Sequence, residues 1–280
     1  MNGFDFIRAA DLQDAMAILA RENEHACLVA GATNVTVKAK AGRLKDKLLV
    51  SIDGLDELRG IREEAGYLYI GALTCISTIS KSQMIKEKGH ILWQAAQVFA
   101  DPVIRNSATI GGNIADASPT ADSAPPLLAL KADLIISSVR GERILPIEQF
   151  FFSVCQTALQ SDEIITAIRF KPSSKGVFVK LGLREAMAKT LISAAAILNL
   201  DDEGNVADCT IALGSVAPRP IRAYNAEKAL IGKQLNGDTL TQMKEAVKAD
   251  ISPIESIRAS IFYRTNVCCT LVERAVKKAV

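Results

Sequence analysis

Apolar residues recur along the chain with two different periods, and the switches between them mark out the elements. Residues 12–20, LQDAMAILA, place Leu12, Ala15, Met16 and Leu19 on one face at helical spacing. Residues 27–30 form a short apolar run that stops at Gly31, as a strand does on entering a turn. A helix over 34–40, a strand over 47–52 (KLLVSI) and a strand over 67–70 ending at Gly71 are expected next. Thr74 and the stretch 77–85 read as a helix start and its body, and 91–99 as another helix.

Residues 100–126, DPVIRNSATIGGNIADASPTADSAPP, are turn-formers with few helix signals. They are followed by a helix over 127–131, a strand over 133–138, a turn at Arg140-Gly141, a strand near Ile144 and a strand over 163–170. Residues 171–176, KPSSKG, read as a linker. Beyond it, 177–183 and 208–214 alternate as strands, whereas 190–200 is apolar throughout and suits either strand or helix. Helices are expected over 221–230, 240–249 and 257–276, the last with cations in its final turns, where they complement the helix dipole. There is no internal repeat. The pattern predicts a mixed α and β chain in two domains.

Composition narrows what such a chain does. Its 280 residues include 33 Lys and Arg against 31 Asp and Glu, a net charge of +2. Nucleic-acid binders carry a strongly basic footprint, and disordered chains combine low hydrophobicity with high charge. With 49% hydrophobic residues this chain fits neither class. No run of 18 apolar residues suggests a membrane span, and Asp5, Asp11 and Asp14 spoil a signal peptide, so a cytoplasmic location is expected. The six cysteines include no CxxC, and neither His25 nor His90 has a second ligand nearby, so no metal site is expected. Redox chemistry would then fall to an organic cofactor. G-x-S-x-G is absent, which leaves a hydrolase reading without its nucleophile.

Two segments could carry chemistry. Cys27-Leu28-Val29-Ala30-Gly31-Ala32-Thr33-Asn34 is a strand ending in a glycine turn, which can present backbone N–H groups to phosphate, with Thr33 and Asn34 as polar additions. An ordinary strand, turn and helix fits the same residues, and neither G-x-G-x-x-G nor a P-loop is present. Thr109-Ile110-Gly111-Gly112-Asn113 pairs two glycines, over which a ligand can touch the main chain directly. A tight glycine turn is the alternative. Asp122 lies downstream, able to accept from a ribose or ribityl hydroxyl.

Taken together, AGATN (30–34), IGALT (70–74), RNSATIGGNIADASPTAD (105–122), the G-x-R-x-x-P-x-x-x-F-F pattern over 141–151 and IALGSVAPRPIRA (211–223) resemble one family. It is that of the FAD-binding medium subunits of molybdenum hydroxylases, the xanthine dehydrogenase and carbon monoxide dehydrogenase class. The resemblance runs from Phe4 to about Ala275. It implies an α+β chain with a two-part FAD-binding domain of the vanillyl-alcohol oxidase type over 1–172 and a small α+β C-terminal domain over 173–280.

It also implies that 27–34 wraps the FAD pyrophosphate, that 109–113 forms a second wall, and that Phe99, Ala100, Asp122, Ile164 and Lys180 occupy further FAD-contacting positions. No side chain is required as a catalytic acid or base. The implied role is electron transfer, from [2Fe–2S] clusters on a small partner that serves a large molybdopterin subunit, to NAD+ or another acceptor. The absence of cluster ligands here suits that division of labour.

Four positions depart from the family pattern, among them Lys189 and Ser256, each where an aspartate is common. Ala32 and Asn34 stand where a second glycine and an acid are usual, and a methyl at 32 is comfortable only with negative φ. An FAD-free scaffold and a stand-alone flavoprotein are the competing readings. Lys180, if free beside the flavin, would raise its potential.

Overall fold

The computed structural model describes residues 3–184 and 187–280. The first unit contains β1 (Asp5–Arg8), α1 (Leu12–Glu22), β2 (Ala26–Val29), α2 (Val35–Lys40) and β3 (Leu48–Ser51). Its sheet is parallel with order β1-β3-β2, so Val50 on β3 pairs with Ile7 on one side and Leu28 on the other. Ala15, Met16 and Leu19 of the predicted apolar face of α1 are buried against this sheet with Val50 and Ile52, joined by Ile18, while Leu12 is only partly buried.

The second unit begins with β4 (Ile61–Glu64) and β5 (Tyr67–Gly71). Six short helices follow: α3 (Ile76–Lys81), α4 (Gln83–Lys88), α5 (His90–Gln97), α6 (Pro102–Ser107), α7 (Ile110–Ala115) and α8 (Ala124–Ala129). It closes with β6 (Asp133–Ser138), β7 (Gly141–Pro146), the small pair β8 (Phe151–Ser153) and β9 (Gln156–Thr157), and β10 (Ile164–Phe170). The main sheet is antiparallel with order β4-β5-β10-β6-β7, and the helices cover it with a core that includes Ile70, Ile110, Leu127 and Phe170.

The third unit is an antiparallel sheet of β11 (Val177–Gly182), β12 (Thr190–Leu200), β13 (Val206–Gly214) and β14 (Ile221–Arg222). It carries α9 (Tyr224–Leu230), α10 (Gly237–Asp250) and α11 (Ile261–Lys278). The sheet is buried on both faces. Ile192, Ala194, Ala196 and Leu198 point into the core beneath α10 and α11, while Phe178, Ala195 and Ala212 join the core of the second unit. Double-sided burial removes the polar alternation, which is why 190–200 was ambiguous as a sequence and is an 11-residue strand in the fold.

Several expectations need correction. Residues 100–126 hold three helices rather than an open run of turns. Asp101 caps α6 by accepting from Ile104 N at 2.9 Å, with Pro102 in the first turn, and Thr109 caps α7. Pro125 and Pro126 open α8. Proline suits a first helical turn because the N–H it lacks has no partner there. The helix expected over 77–85 is broken at Ser82, whose hydroxyl caps α4. The helix expected from 221 starts at Tyr224, after the two-residue β14. β1 and β4 are additional. Both are edge strands exposed along most of their length, so they carry no alternating apolar signal.

Candidate functional site

The first loop leaves β2, an edge strand, and turns into α2. The carbonyls of Ala32 and Asn34 accept from Thr36 N and Lys38 N, at 2.9 and 3.0 Å. The N–H groups of Gly31, Ala32, Thr33 and Asn34 find no acceptor among the described residues. Unpaired amides in a row make an anion-binding concavity. Gly31 is required by close approach: a Cβ there would stand 1.7 Å from the Ser107 carbonyl oxygen. Ala32 adopts φ +56°, so the condition of negative φ is not met and its methyl carries left-handed strain of about 1–2 kcal/mol. A cleft of about 340 Å³ opens beside this loop, lined by Ala30, Gly31 and Ala32 on one side and Asn106 and Ser107 on the other. Arg59 also lines it, held by Leu73 O and Asp53 Oδ1, both at 2.9 Å.

The second loop is built differently. Thr109 Oγ1 accepts from Gly112 N at 3.1 Å, Ile110 N donates to Thr74 O, Gly111 N to Ala72 O and Asn113 N to Thr109 O. Its amides from 110 to 113 are therefore consumed. Gly112 is exposed and faces the first loop, since a Cβ built on it would lie 3.9 Å from that of Ala30. Asn113 Oδ1 accepts from the Ser123 hydroxyl, which leaves its amide nitrogen as the side-chain group able to donate.

Behind this wall lies a buried polar cluster that spans the second and third units. Lys180 on β11 donates to Asp122 Oδ2 at 2.5 Å and to Val98 O at 3.1 Å, and Thr190 on β12 donates to Asp122 Oδ1. Burial pushes the Asp122 carboxyl above its ordinary range, against the opposing pull of Lys180 and Thr190. Both Asp122 oxygens thus have protein partners already. Lys180 is an ion-paired side chain only 10% exposed, not a free charge. Phe99 and Ala100 adjoin this cluster; Phe99 O accepts from Arg105 at 2.9 Å and Ala100 sits at φ +37°.

The expected positions thus fall into distinct settings. Ala30 to Asn34 and Gly112 line two facing loops, Asp122 and Lys180 form one ion pair, and Phe99 and Ala100 follow Val98, whose carbonyl Lys180 also reaches. Cys27, Leu28 and Val29 are β2 residues packed in the small cores on either side of the first sheet. Ile164 is fully buried with Ile52, Leu55 and Leu73. Asn34 spends one side-chain N–H on Asp116 Oδ2 at 2.6 Å, so an acid at 34 would face another acid here. Arg59 belongs to no motif, and Asn106 and Ser107, although inside the 105–122 segment, are not singled out by it; only folding brings the three to the cleft. Among the described residues no group of His, Cys, Asp and Glu could hold a metal, and no helix is long and apolar enough to cross a membrane.

These features define a mixed α and β fold with a donor-lined cleft suited to an anionic ligand. Residues 2–172 match the family model described as the FAD binding domain in molybdopterin dehydrogenase, and 178–279 match the CO dehydrogenase flavoprotein C-terminal domain. The chain is 37% identical over 285 residues to the xanthine dehydrogenase FAD-binding subunit of Escherichia coli O157:H7, covering 99% of this chain and 97% of that one. It is 32% identical to the glyceraldehyde dehydrogenase medium chain of Sulfolobus acidocaldarius, with 98% of each chain covered. Among solved structures, a carbon monoxide dehydrogenase chain from Hydrogenophaga pseudoflava superposes with a TM-score of 0.95 at 29% identity, over 99% of this chain and 96% of that one. The chain belongs to the family of FAD-binding subunits of the xanthine and carbon monoxide dehydrogenase type of molybdenum hydroxylase. It is an oxidoreductase subunit and its cofactor is FAD.

Proposed function

We propose that this chain transfers electrons from [2Fe–2S] clusters on a small partner to NAD+ or another acceptor, for an enzyme whose substrate reacts at molybdopterin on a large partner. The row of unpaired N–H groups from Gly31 to Asn34 carries the reading. Its donors suit the two charges of a pyrophosphate, and a ligand there is flanked by the exposed face of Gly112 beside Asn113. When bound, FAD supplies the redox chemistry, accepting electrons singly and releasing them in pairs.

The chain's own residues do the rest. Gly31, Ala32, Thr33 and Asn34 hold the phosphates, on a loop that Cys27, Leu28 and Val29 lead into from β2. Thr109, Ile110, Gly111, Gly112 and Asn113 form the opposite wall. Phe99 and Ala100 border the flavin end, and the Lys180–Asp122 pair sets the charge there and ties the third unit to the second. Ile164 supports the wall from the core. None of these groups donates or removes a proton in the reaction. Purification from the native host tests the reading: the visible spectrum should be that of a flavin with iron–sulfur centres, with FAD released on denaturation and two further chains co-eluting. A colourless chain that stays colourless with added FAD would overturn it.

A further inference from the structure

The two facing loops are joined by a contact that no motif describes. Asp116, at the C-terminal end of α7, accepts from Asn34 Nδ2 at 2.6 Å through Oδ2 and from Lys38 Nζ at 2.7 Å through Oδ1. The partners lie 82 and 78 residues away in sequence. The two ends of this contact are anchored unequally. α7 is fixed by the fully buried Ile110 and Ile114 and by the hydrogen bonds of Ile110 N and Gly111 N to Thr74 O and Ala72 O. α2 has no buried residue; only Val35 and Ala39 lean on a small cluster with Leu44 and Leu49. The loop ahead of α2 also carries the left-handed strain at Ala32. A strained loop leading into a weakly packed helix keeps its place only through tertiary ties.

The tie is strong for its setting. The Asp116 side chain is 13% exposed, and both of its oxygens take charge-assisted or short hydrogen bonds. Burial lowers the Lys38 pKa, but the hydrogen bond and charge of Asp116 prevail and raise it, so the ammonium persists through neutral pH.

We propose that Asp116 is a positioning residue for the cofactor: it clasps the first loop and α2 to α7, and thereby sets the gap between the Gly31–Asn34 amides and Gly112. The proposal rests on the reading that FAD lies between these loops. The polarity of the clasp is specific. Asn34 is the donor and Asp116 the acceptor, so the pair can be broken from either side and rebuilt in reverse.

The test is FAD binding to the full chain, followed by quenching of flavin fluorescence, in four forms: wild type, Asp116→Ala, Asn34→Asp, and Asn34→Asp with Asp116→Asn. Removing the acceptor, or placing two carboxylates face to face, should weaken FAD binding about tenfold in each single variant, the scale of one charge-assisted hydrogen bond. The double variant restores a donor–acceptor pair with the roles exchanged and leaves Lys38 a carboxylate at 34. It should recover to within about threefold of wild type, a rescue that general loss of packing would not give. If Asp116→Ala fails to fold, Asn34→Asp and the double variant still decide. Single variants that bind as wild type does, or a double variant no better than the weaker single, would overturn the clasp alone. A wild-type chain that takes up no FAD would instead remove the reading on which the clasp depends, and the clasp with it.

Discussion

AGATN and TIGGN look alike on paper, each a glycine turn flanked by short polar side chains, yet the fold uses them in opposite ways. In the first, four successive amides find no acceptor among the described residues, and the loop meets the rest of the molecule at the close approach of Gly31 to Ser107 and through the Asn34–Asp116 hydrogen bond. In the second, each amide from Ile110 to Asn113 is already paired, and the loop is one turn of a well-anchored helix backed by the Lys180–Asp122 pair. One loop therefore offers hydrogen bonds, the other offers shape. A cleft for a dianionic ligand needs both: donors that cost nothing to uncover, and a wall that does not move when they are used.

The sharpest way to break the closed side is at its ion pair. Lys180→Met leaves Asp122 buried without its cation, and should destabilise the chain by about 3–5 kcal/mol, read from denaturant unfolding. Its flavin potential should change less than a free lysine would imply, because Asp122 already offsets the charge.

On the open side, Gly31→Ala forces a methyl against the Ser107 carbonyl. Prising the loop from α6 should weaken FAD binding about hundredfold, or about 2.7 kcal/mol, by titration of the full chain. If the loops differ as described, Thr109→Ala separates them further. It removes the α7 cap and should lower stability by about 1 kcal/mol, read from denaturant unfolding. Ala32→Gly should act in the opposite sense, stabilising the chain by up to about 1 kcal/mol through relief of the left-handed strain, seen as a higher denaturation midpoint.

The smallest effect is one of pH. The folded-state pKa of Asp122 is raised by burial, so the folded chain holds its proton more tightly than the unfolded one. The resulting stability is complete below the ordinary value of 3.8 and is lost as pH rises through the raised value. Wild type should show this fall in stability with rising pH, and Asp122→Asn should not.

Much of this architecture was legible before folding because it is local or periodic. The apolar stripe of residues 12–20, the strand endings at Gly31 and Gly71 and the polar turn at Arg140-Gly141 each follow from spacing that one element needs to bury one face. The order of the short motifs was enough to indicate the family. The edge strands β1 and β4 were invisible because nothing buries their side chains, and β12 was ambiguous because everything does.

The sequence by itself thus determined the periodic elements, the family and the class of cofactor. Only the tertiary structure decided which glycine loop keeps its amides free, that Lys180 is neutralised by Asp122, and that Asn34 and Lys38 meet on Asp116. The first depends on bonds that carry Ile110 N and Gly111 N to Thr74 and Ala72, and the other two on hydrogen bonds between groups 58 to 82 residues apart. Such pairings leave no period or spacing in the chain, because they are set by how separately folded units come to rest against one another.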